Sequence, residues 1–402
     1  MSRRQPENRQ TTYLEHVSIP CFHNRMRTRA TEMFGIDLPI FAFSHCRDVV
    51  AAVSRAGGMG VLGALYFTPE ELERELTWID AHAGGRPYGV DVVMPAAYAG
   101  DDLAPADGQG LRDRLAEFIP DRHRRFVNEL LAQHGVPEIT HEDTAHFLLG
   151  WTDATARPQV EVALRHPIGL LANALGAPPA DVVEQAHGRG VPVAGIAGSV
   201  RHARKQREVG VDIIVAQGTE AGGHTGDVAT MVLVPEIVDE VAPAPVLAAG
   251  GIGRGRQMAA GMALGAEGVW TGSVWLATEE ADTPPGALEQ ILGATSRDTV
   301  RSRSMTGKPA RMLRNDWTDA WEGADSPGTL PMPLQFMLIA DALRRVSRVR
   351  HPSLTPSPVG QIVGTLNRVK STSQVVYEFM EEFGDTLERL NTVVADERVG
   401  DH

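Results

Sequence analysis

Eight short apolar runs, each five or six residues long, recur through this chain and constrain its fold more than any other feature. They are Pro39–Phe43, Met59–Gly63, Tyr88–Val93, Ile168–Asn173, Val191–Ile196, Asp212–Gln217, Val246–Gly250 and Gly268–Gly272. Their apolar residues run on continuously instead of alternating with polar ones, the pattern of parallel strands buried on both faces. Helical patterns separate them. Thr68-Pro69-Glu70-Glu71 reads as a capping box with proline at the first helical position, and Leu72, Leu76 and Ile79 then fall on one face. Pro178-Pro179 opens a helix carrying Val182, Val183 and Ala186, and Ser199 can cap another that stops at Gly210. Met258, Ala259, Met262 and Ala263 form a stripe ending at Gly265. Eight consecutive strand–helix units predict a (β/α)8 barrel, with an open doubly wound sheet as the runner-up.

The rhythm breaks once and then ends. Residues 96–166 form a long, helical insertion, and residues 280–402 read as further helices and loops. These two stretches are expected to pack together as a smaller, mainly helical accessory domain or lid over the barrel mouth. The barrel itself takes 29–95 and 167–279, behind a polar arm at 1–28. The insertion holds His123, His134, His141 and His146, but their spacing fits no standard zinc pattern, so surface or capping roles are expected and no metal.

Composition narrows the function classes. A formal net charge of −13 repels phosphate backbones and anionic lipids, which argues against nucleic-acid and membrane partners. Cys21 and Cys46, the two cysteines, cannot build a disulfide framework. The polar start MSRRQPENRQ leads into no apolar signal region, and no run of 18 apolar residues occurs, so a cytoplasmic protein is expected.

Barrel active sites lie at the C-terminal ends of the strands, so the residues after each apolar run carry the functional argument. Ala248-Ala249-Gly250-Gly251-Ile252-Gly253 follows the seventh run, and Thr271-Gly272-Ser273 follows the eighth. In this fold a phosphate commonly binds where those two loops meet a helix N-terminus. One such loop alone would be a mere turn; two at adjacent strands favour a phosphate cradle. Gln217-Gly218-Thr219-Glu220-Ala221-Gly222-Gly223-His224-Thr225-Gly226 follows the sixth run. Its glycines permit backbone contact with a flat ring. Its histidine, with an unperturbed pKa near neutral, suits proton abstraction.

The run AQGTEAGGHTG, followed by PVLAAGGIGRGRQMAAGMALGAEGVWTGS, resembles the nitronate monooxygenase family, formerly called 2-nitropropane dioxygenases. AAVSRAGGMGVLGALYFTPEELERE is similar to that family's second strand–helix unit, and RSRSMTGKPARMLRNDW to its post-barrel segment. The resemblance spans about residues 28–320 without the insertion. It implies FMN as cofactor, with Gly250, Gly251, Gly272 and Ser273 at its phosphate and Gln217, Gly218, Gly222 and Gly223 along the ribityl chain and ring. It also implies cofactor contacts from Ala42, Phe43, Asp91 and Gly253, and His224 as a catalytic base or substrate-orienting group. Two departures stand out. The family's first strand ends in a Gln-Gly-Pro-Met-like run, where this chain has Ala42-Phe43-Ser44-His45; Ser44 and His45 are candidates for the substrate pocket. The third strand usually carries an Asn near the flavin, where this chain has Asp91, which donates a hydrogen bond only when protonated.

Other residues have plainer readings. Arg47 can reach the pocket or start a helix. Arg297–Arg314 carries six basic residues against one acidic; it could hold a phosphate-bearing substrate, and an ion-paired domain contact is the favoured reading. Trp270 and Trp275 read as core, Asp319 and Glu322 as solvated, and Cys46 as a small buried residue. The leading expectation is an FMN-dependent oxidoreductase that oxidises a small carbon acid or its anion with O2. The alternatives are an NAD(P)H:quinone or enoyl-thioester reductase and a non-catalytic FMN- or phosphate-binding barrel; a homodimer is left open.

Overall fold

A computed structural model describes residues 25–94, 108–138 and 153–395. Its strands, in chain order, are β1 (Ile40–Ser44), β2 (Met59–Gly63), β3 (Gly89–Asp91), β4 (Leu170–Asn173), β5 (Val193–Ala197), β6 (Ile213–Gln217), β7 (Gly223–His224), β8 (Val246–Ala249), β9 (Gly268–Thr271), β10 (Thr299–Ser302) and β11 (Ala310–Leu313). Eight of them close a parallel barrel in the order β1-β2-β3-β4-β5-β6-β8-β9, and β9 returns to β1 with Ile40 opposite Val269. Each of the eight apolar runs supplies one barrel strand. The open sheet is thereby excluded.

The barrel holds because both faces of each strand are covered. Phe41, Met59, Val61, Leu170, Ala172, Ala194, Ile213, Val215, Leu247, Ala249 and Trp270 fill the interior. Their strand neighbours Leu62, Val90, Leu171, Ile214, Val246 and Ala248 pack outward under the helices. Side chains alternate across a strand, so two buried faces demand the unbroken apolar runs seen in the sequence. A short helix, Arg29–Phe34, closes the barrel floor with Ala30 and Phe34, capped by the Thr28 hydroxyl on Thr31 N. Thr68 and Ser199 cap their helices as the sequence predicts.

The accessory region draws on both extra stretches. Leu115, Val127, Leu130 and Leu131 from the insertion form one core with Trp317, Trp321, Leu338, Ile339 and Val346 from the tail. His123 belongs inside this region, almost fully buried, so its expected surface role is corrected. His141 and His146 lie outside the described residues. Among the described residues no cluster of side chains suits a metal ion.

Packing does not follow the boundaries drawn from sequence. The helix Asp153–Ala163, inside the 96–166 stretch, packs on the barrel helix Pro69–His82. Gln159 from it donates to the carbonyls of Ala64 (2.9 Å) and Phe67 (2.7 Å), tying it to the loop after β2. At the other end, Thr372–Ala395 lies against Gly255–Ala263. Gly255 permits this: a Cβ there would stand 2.1 Å from Phe379 O and 2.5 Å from Phe383 N, both backbone atoms. No helix among the described residues is long and apolar enough to cross a membrane.

Candidate active site

The loops that leave β6, β8 and β9 meet at the C-terminal mouth of the barrel. The loop after β6 turns back as β7, which pairs with β11 so that His224 stands opposite Ala310 and Gly223 opposite Arg311. β10 and β11 form an antiparallel hairpin from the post-barrel segment, and its turn passes over the histidine. Pro309 O accepts from His224 Nδ1 at 3.2 Å. A carbonyl can only accept, so Nδ1 carries the proton and Nε2 keeps its lone pair. The Thr306 hydroxyl lies 3.3 Å from Nε2 and donates to it.

Burial pushes the His224 pKa down to about 4, and the Lys308 ammonium adds to the shift, while the Pro309 carbonyl opposes it. The near-neutral value assumed from sequence is therefore corrected: desolvation of the cation outweighs the single hydrogen bond that favours it. The imidazole is neutral across the physiological range.

The loops after β6, β8 and β9 show two kinds of glycine. Gly218 and Gly250 are needed for close packing, since a Cβ at either would press on Thr230 Oγ1, at 2.1 Å and 2.7 Å. Gly222 packs against the Val359–Gly360 backbone, and Gly253 against Ile362, its own amide donating to Gln257 Oε1 at 2.9 Å. By contrast, a Cβ on Gly223 would meet nothing within 4 Å, and one on Gly272 only Phe43 Cδ1 at 3.9 Å. Among the described residues, no protein acceptor falls on the amides of Gly251, Gly272 or Ser273. Ser273 opens a short 3-10 helix, Ser273–Ala277, so its first N–H groups point outward without intrahelical partners.

At the inner wall, strand alternation turns Phe43, Asp91 and Gln217 into the mouth above the interior layer. The Gln217 amide makes no hydrogen bond with the described residues, and neither does Asp91 Oδ1, although Asp91 is almost fully buried. That burial raises the Asp91 pKa to about 7, which makes the protonated carboxyl accessible near neutral pH. Ala42 points the other way, into the helix-facing core, so only its backbone can reach the mouth. Ser44 Oγ accepts from Cys46 N at 3.1 Å and serves the start of the next helix. His45 reaches the mouth between Phe43 and Tyr66, at centroid distances of 5.1 and 5.0 Å, and donates from Nδ1 to Gly63 O at 2.9 Å. Arg47 does not: it pairs with Glu75 at 3.2 Å and lies over the Trp78 ring in the helical layer.

Several contributors escape sequence reasoning. Gly360 N donates to Ser273 Oγ (2.8 Å) and Gln361 N to Glu220 O (2.9 Å), so the tail adjoins the phosphate loops. Glu220 itself turns from the mouth to cap the next helix, accepting from Thr230 N and Oγ1. Met332 and Phe336 descend from the accessory region onto Leu65 and Leu175, which follow β2 and β4. Only the single glycine in Pro358-Val359-Gly360-Gln361 hinted at any of this.

Comparison with known proteins gives the same picture. A model of the nitronate monooxygenase family matches residues 27–382. A Mycobacterium tuberculosis protein provisionally named as a monooxygenase, Rv1533, is 55% identical over 92% of this chain and all of its own length. A protein of Staphylococcus haemolyticus named as a probable nitronate monooxygenase is 28% identical over 90% of this chain and 98% of its own. Among solved structures, nitroalkane oxidase from Streptomyces ansochromogenes superposes with a TM-score of 0.75 at 25% identity, covering 90% of this chain and 99% of that one. FabK from Thermotoga maritima superposes with a TM-score of 0.70 at 27% identity, covering 92% and 99%. With a family match that runs through the barrel, the histidine loop and the hairpin, this chain is an oxidoreductase enzyme and belongs to the nitronate monooxygenase family.

Proposed function

We propose that the protein binds FMN at the barrel mouth and oxidises a small carbon anion of the nitronate class with O2. One observation carries the reading: a neutral imidazole, His224, is held over the mouth beside loops in which the amides of Gly251, Gly272 and Ser273 have no acceptor among the described residues. The residues fit FMN. The amides of Gly251, Gly272 and Ser273, with the Ser273 hydroxyl, would hold a phosphate. Gly223 and Gly272 leave room beside their Cα atoms, the Gln217 side chain faces the same mouth, and Asp91 Oδ1 is a buried polar atom with no partner among the described residues. When bound, the flavin supplies the two-electron chemistry and its onward transfer to O2.

The protein's own groups do the positioning. His224 can accept a proton at Nε2, but its low proton affinity makes it a poor base toward a neutral carbon acid. Each pKa unit by which a base falls below the acid costs about 1.4 kcal/mol. This favours a substrate that arrives already ionised, with His224 setting its orientation. Asp91, when protonated, could donate a hydrogen bond to a bound flavin, the role an Asn amide would fill.

Oxygen uptake by FMN-loaded protein tests the reading. Nitronates are expected to turn over and the parent nitroalkanes to do so far more slowly. Replacing His224→Gln should leave FMN bound and lower kcat/KM by roughly 100-fold or more, the usual scale for a lost proton-handling group. No nitronate turnover by the wild-type enzyme sinks the assignment. Rapid anaerobic bleaching by NADPH would instead favour a reductase.

A further inference from the structure

Of the six basic residues from Arg297 to Arg314, Arg297 is exposed at the surface and four other arginines have side-chain partners among the described residues. Arg301 pairs with Asp227 and Arg314 with Asp319. Arg311 donates to Thr219 O (2.8 Å) and to Thr299 Oγ1 (3.0 Å), pinning the histidine loop to the hairpin. Arg303 folds back on Gly307 O. Two of the six basic residues thus form the ion pairs expected from sequence, while Arg303 and Arg311 bond carbonyl or hydroxyl oxygens instead. Lys308 is different. It is half-buried, and no carboxylate among the described residues lies within ion-pair distance of its ammonium. A cation withdrawn from water without a partner is costly, and this chain has a large excess of carboxylates that could have supplied one.

Its position is also fixed. Lys308 sits between Thr306, which contacts His224 Nε2, and Pro309, which contacts Nδ1. Lys308 N donates to Thr306 Oγ1 at 3.3 Å. Gly307, at φ +81°, is pressed so closely on the next segment that a Cβ would stand 1.9 Å from Leu330 O. Gly307 N closes the turn on Arg303 O at 2.8 Å. The turn therefore fixes the Lys308 backbone between the two residues that contact the imidazole.

We propose that Lys308 is the anion anchor of the active site, binding a planar oxyanion end of the substrate beside His224. This rests on the reading of the barrel mouth as the substrate site, and it deepens that reading by assigning the charge selection to a named residue. A neutral imidazole cannot hold an anion by charge; an adjacent unpaired ammonium can, and the approaching anion supplies the partner that the fold withholds. Discrimination between the ionised substrate and its neutral acid then follows from Lys308, while His224 orients what Lys308 has bound.

The test uses inorganic nitrate as a planar oxyanion, titrated into FMN-loaded protein and followed by the flavin difference spectrum, so that no turnover is needed. Wild-type protein is expected to show a saturable signal. Lys308→Met should weaken nitrate binding by about 10-fold or more, on the scale of a lost hydrogen bond to a charged group. Lys308→Arg should stay within about threefold of wild type by the same measure, because charge and donor are retained. With a nitronate, Lys308→Met should raise KM by a similar factor and change kcat little, as for a binding interaction equal in ground and transition states. FMN content checks that both variants are folded. Absence of a saturable nitrate signal in wild type, or unchanged nitrate affinity in Lys308→Met, overturns the proposal. So does a Lys308→Arg variant as weak as Lys308→Met. If nitrate binding depends on Lys308 but nitronates do not turn over, the anchor stands and the substrate assignment fails; if nitronates turn over in Lys308→Met with unchanged KM, the reverse holds.

Discussion

At the residue scale, a half-buried histidine and a buried aspartate share the barrel mouth with opposite consequences for stability. The folded pKa of His224, about 4, lies below its ordinary value near 6.5. Between those values the unfolded chain holds a proton that the folded chain lacks, so this group makes stability rise with pH from about 4 to about 6.5. The Asp91 pKa of about 7 lies above its ordinary value near 3.9. Here the folded chain holds the extra proton, so stability falls as pH rises from about 4 to about 7. In the wild type the two effects largely offset each other. Asp91→Asn should leave the His224 effect exposed, so that its melting temperature gains on wild type progressively from pH 4 to pH 7. His224→Gln should show the opposite trend. Melting curves of the apoproteins across that range decide it, and a variant-minus-wild-type difference that does not change with pH would contradict both burials. The location of both residues was legible in the sequence, because a residue following a parallel strand points to the barrel mouth. Their proton affinities were not, because desolvation depends on which other segments cover them.

At the element scale, the hairpin β10–β11 is where sequence reading ran out. Its resemblance to a post-barrel segment was visible, but its contact with His224 joins residues 82 apart in the chain, and no local pattern encodes that. The glycines show the same limit. Their placement after strands was informative, yet Gly218 and Gly222 turn out to be required by close backbone packing and Gly253 faces the Ile362 side chain, while Gly223 and Gly272 leave space beside them. Gly307 offers the clearest handle on the hairpin. Its positive φ and its contact with Leu330 O mean that Gly307→Ala must move the turn, at a cost of about 1–3 kcal/mol. Because Thr306, Lys308 and Pro309 surround it, the histidine should lose its fixed orientation. We expect kcat/KM to fall by at least about 10-fold, as displacement of a positioned group does, with FMN still bound. Loss of FMN in parallel with activity would show that the hairpin supports the cofactor loops and not the histidine alone.

At the scale of the whole molecule, the eight-strand barrel was readable because parallel strands buried on both faces leave an unmistakable apolar signature. What the tail does was not readable, since helices and turns of ordinary composition can pack anywhere. The structure divides its work. Residues 317–346 join the insertion in a second core and lower Met332 and Phe336 toward the mouth. Residues 359–395 return to the barrel. Gly360 and Gln361 bond Ser273 and Glu220, and the final helix lies on Gly255–Ala263, the helix that follows the first phosphate loop. Truncation after residue 357 would strip Val359, Ile362, Val363, Val375, Val376 and Phe379 from the barrel's outer core. Burial of such side chains contributes about 1.5–3 kcal/mol each, a total on the order of the whole stability margin of an ordinary domain. The truncated chain is therefore expected to lose flavin absorbance and cooperative unfolding together. A milder variant separates the two losses. Gly360→Ala places a Cβ 2.7 Å from Glu220 O and 3.2 Å from Ser273 Oγ, disturbing the phosphate loops while leaving the final helix in place. It should weaken FMN binding by about 10-fold or more, the scale of a lost charge-assisted hydrogen bond, and keep a cooperative melt. If Gly360→Ala binds FMN as tightly as wild type, the tail serves the barrel's stability and has no part in the cofactor site.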